Sequence, residues 1–427
     1  MKNYKGFTLL ELLITMALVI LVIMITSVAF NTILKNTSRV TSSEESNIEG
    51  VVGLEMFRHD LQQAGFGLPD SYDNPGAIIY YEASVAPANL LNDDSTATMV
   101  PRAVVSFDNR SGAAGTDSDD TTISYKLLSG TDYLGIKATT VGRSKASQKW
   151  TYVTYSSNGG KTPNVWPNSA DNFVNNDRAI VINRSFSKEG VVSNKMIVPA
   201  ASPNIYWTSN ATTVMSSLFN PTNKNEINYI YGIRSYATST TSDLRMPFNR
   251  ADYFVARPSK TSKIPSVCAP NSGILYRTNV NHTDGMLTYM PLIDCVADMQ
   301  VVFGWDDGSG IITESSASGS SVTGGGATPT DVASWMADPA EIKNKLKYVK
   351  VYIMAQDGRK DTSFINKNTL GPSNNTYSVV VGEPGATPPS NVSVTKAYTA
   401  QNLTDKGWLN YRWKIYRIVV RPKNLTN

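Results

Sequence analysis

Histidine and cysteine are nearly absent from this chain: each occurs twice in 427 residues. His59, His282, Cys268 and Cys295 lack the short spacings of metal ligands, which argues against a resident metal centre. Neither histidine has a nucleophile and an acid beside it, and no G-x-S-x-G or H-E-x-x-H run occurs, so the chain does not read as an enzyme. Charge is scarce too. Only 17% of residues are charged, the net charge is +4, and no block of one sign appears. A dedicated nucleic-acid face concentrates Lys and Arg, so no specific nucleic-acid partner is expected. Asn158-Gly159-Gly160-Lys161-Thr162 lacks the first glycine of a phosphate loop, Tyr155 standing there, and Pro163 opposes a following helix; it reads as a turn.

Helix breakers are missing where they would matter most. No proline precedes Pro69, and neither Gly nor Pro falls between Phe7 and Phe30. Sixteen of the nineteen residues from Phe7 to Ile25 are apolar, the exceptions being Thr8, Glu11 and Thr15. At about 1.5 Å per residue such a helix nearly spans a hydrocarbon core of about 30 Å. Lys2 and Lys5 precede it without an acid, which predicts a cytoplasmic N-terminus and a large body on the far side of the inner membrane. An ordinary signal peptide would be cut after its apolar run, and Ala29 leaves that site open. Glu11 argues otherwise, because a carboxylate at that depth is costly unless something compensates it.

Lys5-Gly6-Phe7-Thr8-Leu9-Leu10-Glu11-Leu12 resembles the class III signal of type IV prepilins and type II secretion pseudopilins. The resemblance implies cleavage after Gly6 by prepilin peptidase and N-methylation of the new terminus, Phe7. It also implies an assembly ion pair in which Glu11 meets the Phe7 amine of a neighbouring subunit. Such a pair offsets the cost of holding either charge in apolar surroundings.

From Thr26 to about Phe66 the helical pattern turns amphipathic. Ile33, Val40, Ile48, Val51, Leu54, Phe57 and Leu61 mostly keep one stripe, while Lys35, Arg39, Glu44, Glu45, Glu49 and Arg58 suit a wetter side. Gly65 and Gly67, just ahead of Pro69, read as the stop. Gly50 and Gly53 weaken the helix by about 1 kcal/mol each relative to Ala. The expected organisation is a leader at 1–6, a membrane or filament-core helix at 7–30, its amphipathic continuation at 31–67, and a β-rich head at 68–427.

The helix end Glu55-Met56-Phe57-Arg58-His59-Asp60-Leu61-Gln62-Gln63-Ala64-Gly65-Phe66 resembles that of PilW-type minor pilins. Gly115-Thr116-Asp117 with the alternating Ile123, Tyr125 and Leu127 is similar to the family's first strands, and 291–306, 346–354 and 411–420 to its late ones. The chain departs from the family at its end, Arg421-Pro422-Lys423-Asn424, and over about 130–265, which reads as an inserted β-rich lobe. Fold class is therefore α+β: a pilin-like long N-terminal helix packed on an antiparallel sheet. Asp338-Pro339-Ala340-Glu341 reads as a capping box opening a helix to about Leu346, with a half-buried strand at Val349, Val351 and Ile353 behind it. Ser315 to Pro329 and Glu383 to Asn391 read as exposed loops.

Cys268 and Cys295 either pair, as an oxidising compartment favours, or remain free thiols; pairing would stabilise the fold by roughly 3–4 kcal/mol. No cofactor is expected, with Ca²⁺ at Asp306 and Asp307 as the one candidate and a solvated turn preferred there, as at Asp117, Asp119 and Asp120. The functional expectation is a minor pilin acting in assembly initiation and the tip complex of a type IV pilus, moving from inner membrane to extracellular filament. Its partners would be other minor and major pilins, prepilin peptidase, the inner-membrane assembly platform, a large tip adhesin, and the membrane before assembly. The alternatives are a J-like type II secretion pseudopilin and a tip binding module.

Overall fold

The structure is a computed structural model that describes residues 8–427 apart from 75–78, 95, 97, 158–161, 187–191, 199–205, 209–218, 225, 236–243, 368, 371–375, 378, 383–395 and 426–427. Within 31–49 only the side chains of Ile33 and Thr37 are described. The expected turn at 158–162 and the loop at 383–391 fall almost wholly outside the described residues.

One helix, α1 (Leu9–Gln63), runs unbroken for 55 residues. The body after it is mostly sheet, so the class is α+β. Its longer strands are β1 (Val104–Thr116), β2 (Ser124–Ala138), β3 (Trp150–Thr154), β4 (Arg178–Phe186), β5 (Val192–Met196), β6 (Ile227–Arg234), β7 (Asn249–Pro258), β8 (Gly273–Val280), β9 (Leu287–Asp306), β10 (Ile312–Ser316), β11 (Leu346–Asp357) and β12 (Arg412–Val420). The main sheet has nine strands and runs Val322–Thr323, β10, β9, β8, β7, β2, β1, with β11 also on β9 and β12 on β11. The 20-residue β9 serves two neighbourhoods: its first half pairs antiparallel with β8, and from Val296 onward it pairs with β11 and then β10. A register shift between Val296 and Asp298 marks the changeover. Strand alternation is plain at the start of β2, where Tyr125 and Leu127 are buried between exposed Ser124 and Lys126.

The second sheet has six strands in the order Ser71–Tyr72, β5, β4, β6, β3, with Trp207–Thr208 on β4. Its longer strands come from between Trp150 and Arg234, whereas β2 and β7, at the ends of the interval 130–265, belong to the main sheet.

The contact between α1 and the sheet corrects the expected stripe. Phe57 and Leu61 are fully buried and Leu54 packs on the core, but Val51 is 63% exposed and Ile33 61%; Val40 and Ile48 lie outside the described side chains. The buried line runs instead through Gly50, Gly53, Leu54, Phe57, Asp60, Leu61 and Ala64, spacings that hold one helix face. A Cβ added at Gly53 would stand 2.7 Å from the Leu292 carbonyl oxygen of β9, and one at Gly50 3.0 Å from the Tyr416 hydroxyl of β12. At Gly53 helix and strand backbones meet too closely for a side chain, whereas at Gly50 the close neighbour is the end of the Tyr416 side chain.

Asp60, buried on the same line, accepts hydrogen bonds from Tyr253 Oη (2.7 Å) and Arg277 Nε (2.8 Å). Phe57 stacks on the Tyr253 ring with centroids 3.8 Å apart. The helix end is closed by the returning C-terminus, Lys423 N donating to Gln62 O at 3.1 Å.

A chain of six charges fixes the irregular segment before β1. Arg102 pairs with Asp93 (2.6 Å), Asp93 with Lys137 (2.6 Å), Lys137 with Glu82 (2.7 Å), Glu82 with Arg250 (2.9 Å) and Arg250 with Asp252 (2.8 Å). Three acids balance three bases, and every member but Arg102 is essentially inaccessible. Burial opposes the Arg250 charge, but Asp252 and Glu82 outweigh it and hold the guanidinium above its usual range.

Two loop expectations change. Residues 312–316 and 322–323 form a hairpin, and a helix, α2 (Pro329–Ala337), follows with Thr328 and Asp331 as a capping box. The next helix, α3 (Pro339–Lys345), is capped by Asp338 Oδ1, which accepts from Ala340 N at 2.8 Å. Glu341 does not complete a box there; it pairs with Lys345 at 2.6 Å, one turn on.

Gly53→Ala should lower stability by about 1–3 kcal/mol through overpacking, although helix propensity alone calls for a gain of about 1 kcal/mol. The urea midpoint of the full chain in detergent micelles reads the sign. Lys137→Met should cost about 3–5 kcal/mol by leaving the buried Glu82 and Asp93 with one cation each, and an unchanged midpoint would remove the charge chain from the account.

Candidate assembly site

The span Leu9–Phe30 is long and apolar enough to cross a membrane, and none of it is buried against the body. At about 1.5 Å per residue its 22 residues reach about 33 Å. The absence of β-turn formers and the run of Leu, Ile, Val and Met make the helix; the lack of any head contact leaves its surface for another apolar phase.

At its start stands a motif that sequence reasoning missed. Thr8 is the N-cap: its Oγ1 accepts from Glu11 N at 3.3 Å, and the Glu11 carboxylate accepts from Thr8 N at 2.9 Å and from Thr8 Oγ1 at 3.0 Å. This is a reciprocal capping box, readable in the sequence as Thr-x-x-Glu directly before an apolar run. Glu11 therefore does two things with one side chain. It accepts from the N-cap amide, Thr8 N, which has no intrahelical acceptor, and it presents an exposed anion at the positive end of the helix dipole. Gly6 and Phe7, the expected cleavage and methylation positions, lie outside the described residues.

The other expected site residues are spread over the head. Cys268 and Cys295 are joined by a disulfide, Cα–Cα 4.9 Å, tying the segment after β7 to the changeover point of β9. Asp306 Oδ1 accepts from Gly308 N (2.9 Å) and Gly310 N (3.1 Å), and Asp307 Oδ1 from Ser309 N (2.9 Å). These carboxylates organise their own loop, and the Ser309 contacts hold Asp307 below the usual carboxylate range. Asp117 accepts from Asp119 N and the Tyr125 hydroxyl, and Asp120 from Thr122. Among the described residues no group of three or more His, Cys, Asp and Glu is placed to hold a metal. His59 sits on the flank of α1 beside Asp60, whose carboxylate raises its pKa. His282 is buried in the head.

A family model described as the prokaryotic N-terminal methylation motif matches residues 1–27. No curated protein and no solved structure matches the chain. The methylation motif and the single apolar helix together support a type IV pilin-like or pseudopilin-type protein. That class is structural and generally non-enzymatic, it interacts with other pilins and with prepilin peptidase, and anchoring in the inner membrane is consistent with both features.

Thr8→Ala should raise amide exchange at Leu9–Leu12 by about fivefold in micelles, the loss of one N-cap. Equal exchange in the variant would show that the capping box does not hold the helix start.

Proposed function

We propose that this protein is a minor pilin of the PilW kind, cut after Gly6, methylated at Phe7, and built into a type IV pilus where it helps to initiate assembly and sits in the tip complex. The observation that carries this reading is a carboxylate, Glu11, near the start of an apolar span, Leu9–Phe30, none of which is buried against the head. Before assembly, Thr8 satisfies that carboxylate in cis. In a filament the neighbouring subunit's Phe7 amine, created by cleavage, offers a full opposite charge in low dielectric, which outweighs a neutral hydroxyl. Exchange of partners then couples processing to packing, because an uncut leader supplies no amine at that depth.

The loose likeness of 55–66, 291–306 and 411–420 to PilW-type segments favours the pilus over a secretion pseudopilin. The absence of glycine and proline from 7–30 favours a core helix that stays continuous in the filament.

Mass spectrometry of the membrane-extracted protein should find an N-terminus at Phe7 carrying one methyl group; an intact Met1 or a start after Ala29 defeats the reading. Glu11→Ala should remain in the inner membrane yet fall out of sheared pili, with normal incorporation arguing against the ion pair. Deletion should reduce piliation, and lost protein secretion with intact pili would move the protein to the pseudopilins.

A further inference from the structure

Where the second sheet meets the main one, a cleft of about 440 Å³ lies between residues 142–144, the end of β6 and the β8–β9 hairpin. His282 lines it and is only 8% exposed. The proton on its ring can be placed from its neighbours. Asn249 Nδ2 donates to Thr139 O (2.7 Å) and Ile233 O (3.0 Å), so the amide orientation is fixed and Asn249 Oδ1 is an acceptor. His282 Nε2, 3.1 Å from that Oδ1, is therefore the donor and carries the hydrogen. Burial, with Arg234 and Arg245 nearby, pushes the His282 pKa down to about 3, so the ring is neutral at physiological pH. Nδ1 is left as a buried lone pair, with no hydrogen-bond partner among the described residues.

Arg234 lines the same cleft, and its Nη1 is likewise buried without an acceptor among the described residues. Burial first and Arg178 second disfavour its charge, with only Asp284 acting the other way. Arg143 stands exposed at the rim. The third arginine of the lining, Arg250, is already matched by Asp252 and Glu82. Two carboxylates also face the cleft, but Asp284 Oδ1 accepts from Met286 N (2.8 Å) and Asp119 Oδ1 from Ser118 Oγ (3.4 Å). A buried donor without an acceptor and a buried acceptor without a donor are each costly, and both belong to side chains that line this one polar cleft.

These two groups select a ligand. The arginines disfavour a cation. A bare anion such as chloride would satisfy Arg234 but confront the lone pair of His282. A neutral sugar would satisfy His282 and leave Arg234 unmatched. We propose that this cleft binds a small hydroxy acid, of the uronic-acid type, with its carboxylate on Arg234 and Arg143 and a hydroxyl donating to His282 Nδ1. The inference stands on the head alone and does not depend on the filament reading.

The chain has only two histidines, His59 and His282, so histidine-selective ¹⁵N labelling resolves both rings. The full-length protein in detergent micelles is titrated with D-glucuronate, with acetate and D-glucose as partial probes. The His282 Nδ1 resonance should move upfield and saturate with glucuronate while His59 stays still. Acetate and glucose should each bind about tenfold more weakly or less, the loss of one charge-assisted or buried contact. Arg234→Met should weaken glucuronate by about tenfold or more; if that variant does not fold, Arg143→Met on the rim tests the same carboxylate contact. A static Nδ1 resonance, meaning a bridging water only, overturns the proposal, as does glucuronate binding that both arginine variants leave unchanged. Stronger binding of a uronate-terminated oligosaccharide than of free glucuronate would identify a glycan as the source, and equal binding the free acid.

Discussion

The Asp60 carboxylate under the main sheet decides how the rest of the molecule is arranged. It is a charge on the buried face of a helix, and it is tolerated because Arg277 and the Tyr253 hydroxyl reach it from neighbouring strands. Taking both ions out of water contributes little net stability, but removing either partner strands the other. The pair therefore acts chiefly as a registry device. Only one rotation of α1 about its axis, and one position along it, brings Asp60 to Arg277 while Phe57 lies on Tyr253 and Gly53 against Leu292. A helix that projects so far beyond its head needs such a lock, since a small error in rotation at the sheet would be carried along every residue of the uncovered span.

The six-charge chain does the corresponding work for the segment between the helix and β1. Residues 79–102 form little regular structure, so no hydrogen-bond ladder holds them to the sheet. Glu82 and Asp93 fasten that segment to Lys137 of β2 and Arg250 of β7. The consequence reaches the cleft beside it. Arg250 also lines that cleft, and because it is fully matched from within, the charge that remains to be answered there belongs to Arg234 and Arg143.

The sequence was most informative where a local pattern decides the structure. The uninterrupted apolar run, the late strands at 346–357 and 412–420, and the Asp338 cap of α3 are all local, and all are present. It was least informative where a residue's role is set by something distant in the chain. Gly50 and Gly53 read as weak points because propensity knows only the helix; the Leu292 carbonyl that excludes a side chain at Gly53 and the Tyr416 hydroxyl that crowds Gly50 lie far away in sequence. Asp60 read as part of a polar helix end for the same reason, and Val51 as core because the stripe was traced through apolar residues rather than through glycines. The Gly, Ser, Thr and Pro of Ser315 to Pro329 suggested a loop, yet the strands 312–316 and 322–323 pair as a hairpin on β9. The Thr8–Glu11 box is different: it is local, and Thr-x-x-Glu directly before an apolar run is legible in the sequence.

The two carboxylates on α1 show why one is fixed and the other is suited to change partners. Asp60 has a guanidinium, a phenol and a closed packing shell, so no competitor can reach it without unfolding the contact. Among the described residues the Glu11 carboxylate has hydrogen bonds from Thr8 alone, all neutral and all within the first turn, and it stands exposed. In water such a carboxylate gains little from a new ionic partner, because solvent screens the charge. In an apolar phase the same exchange is strongly favoured, since a neutral hydroxyl cannot balance the ion and an ammonium group can. On the proposed filament reading, a single unbroken helix thus carries a permanent lock in the part that meets the sheet and an exchangeable contact in the part that would meet lipid or its own kind, and it is the surrounding medium, more than the residue type, that separates the two.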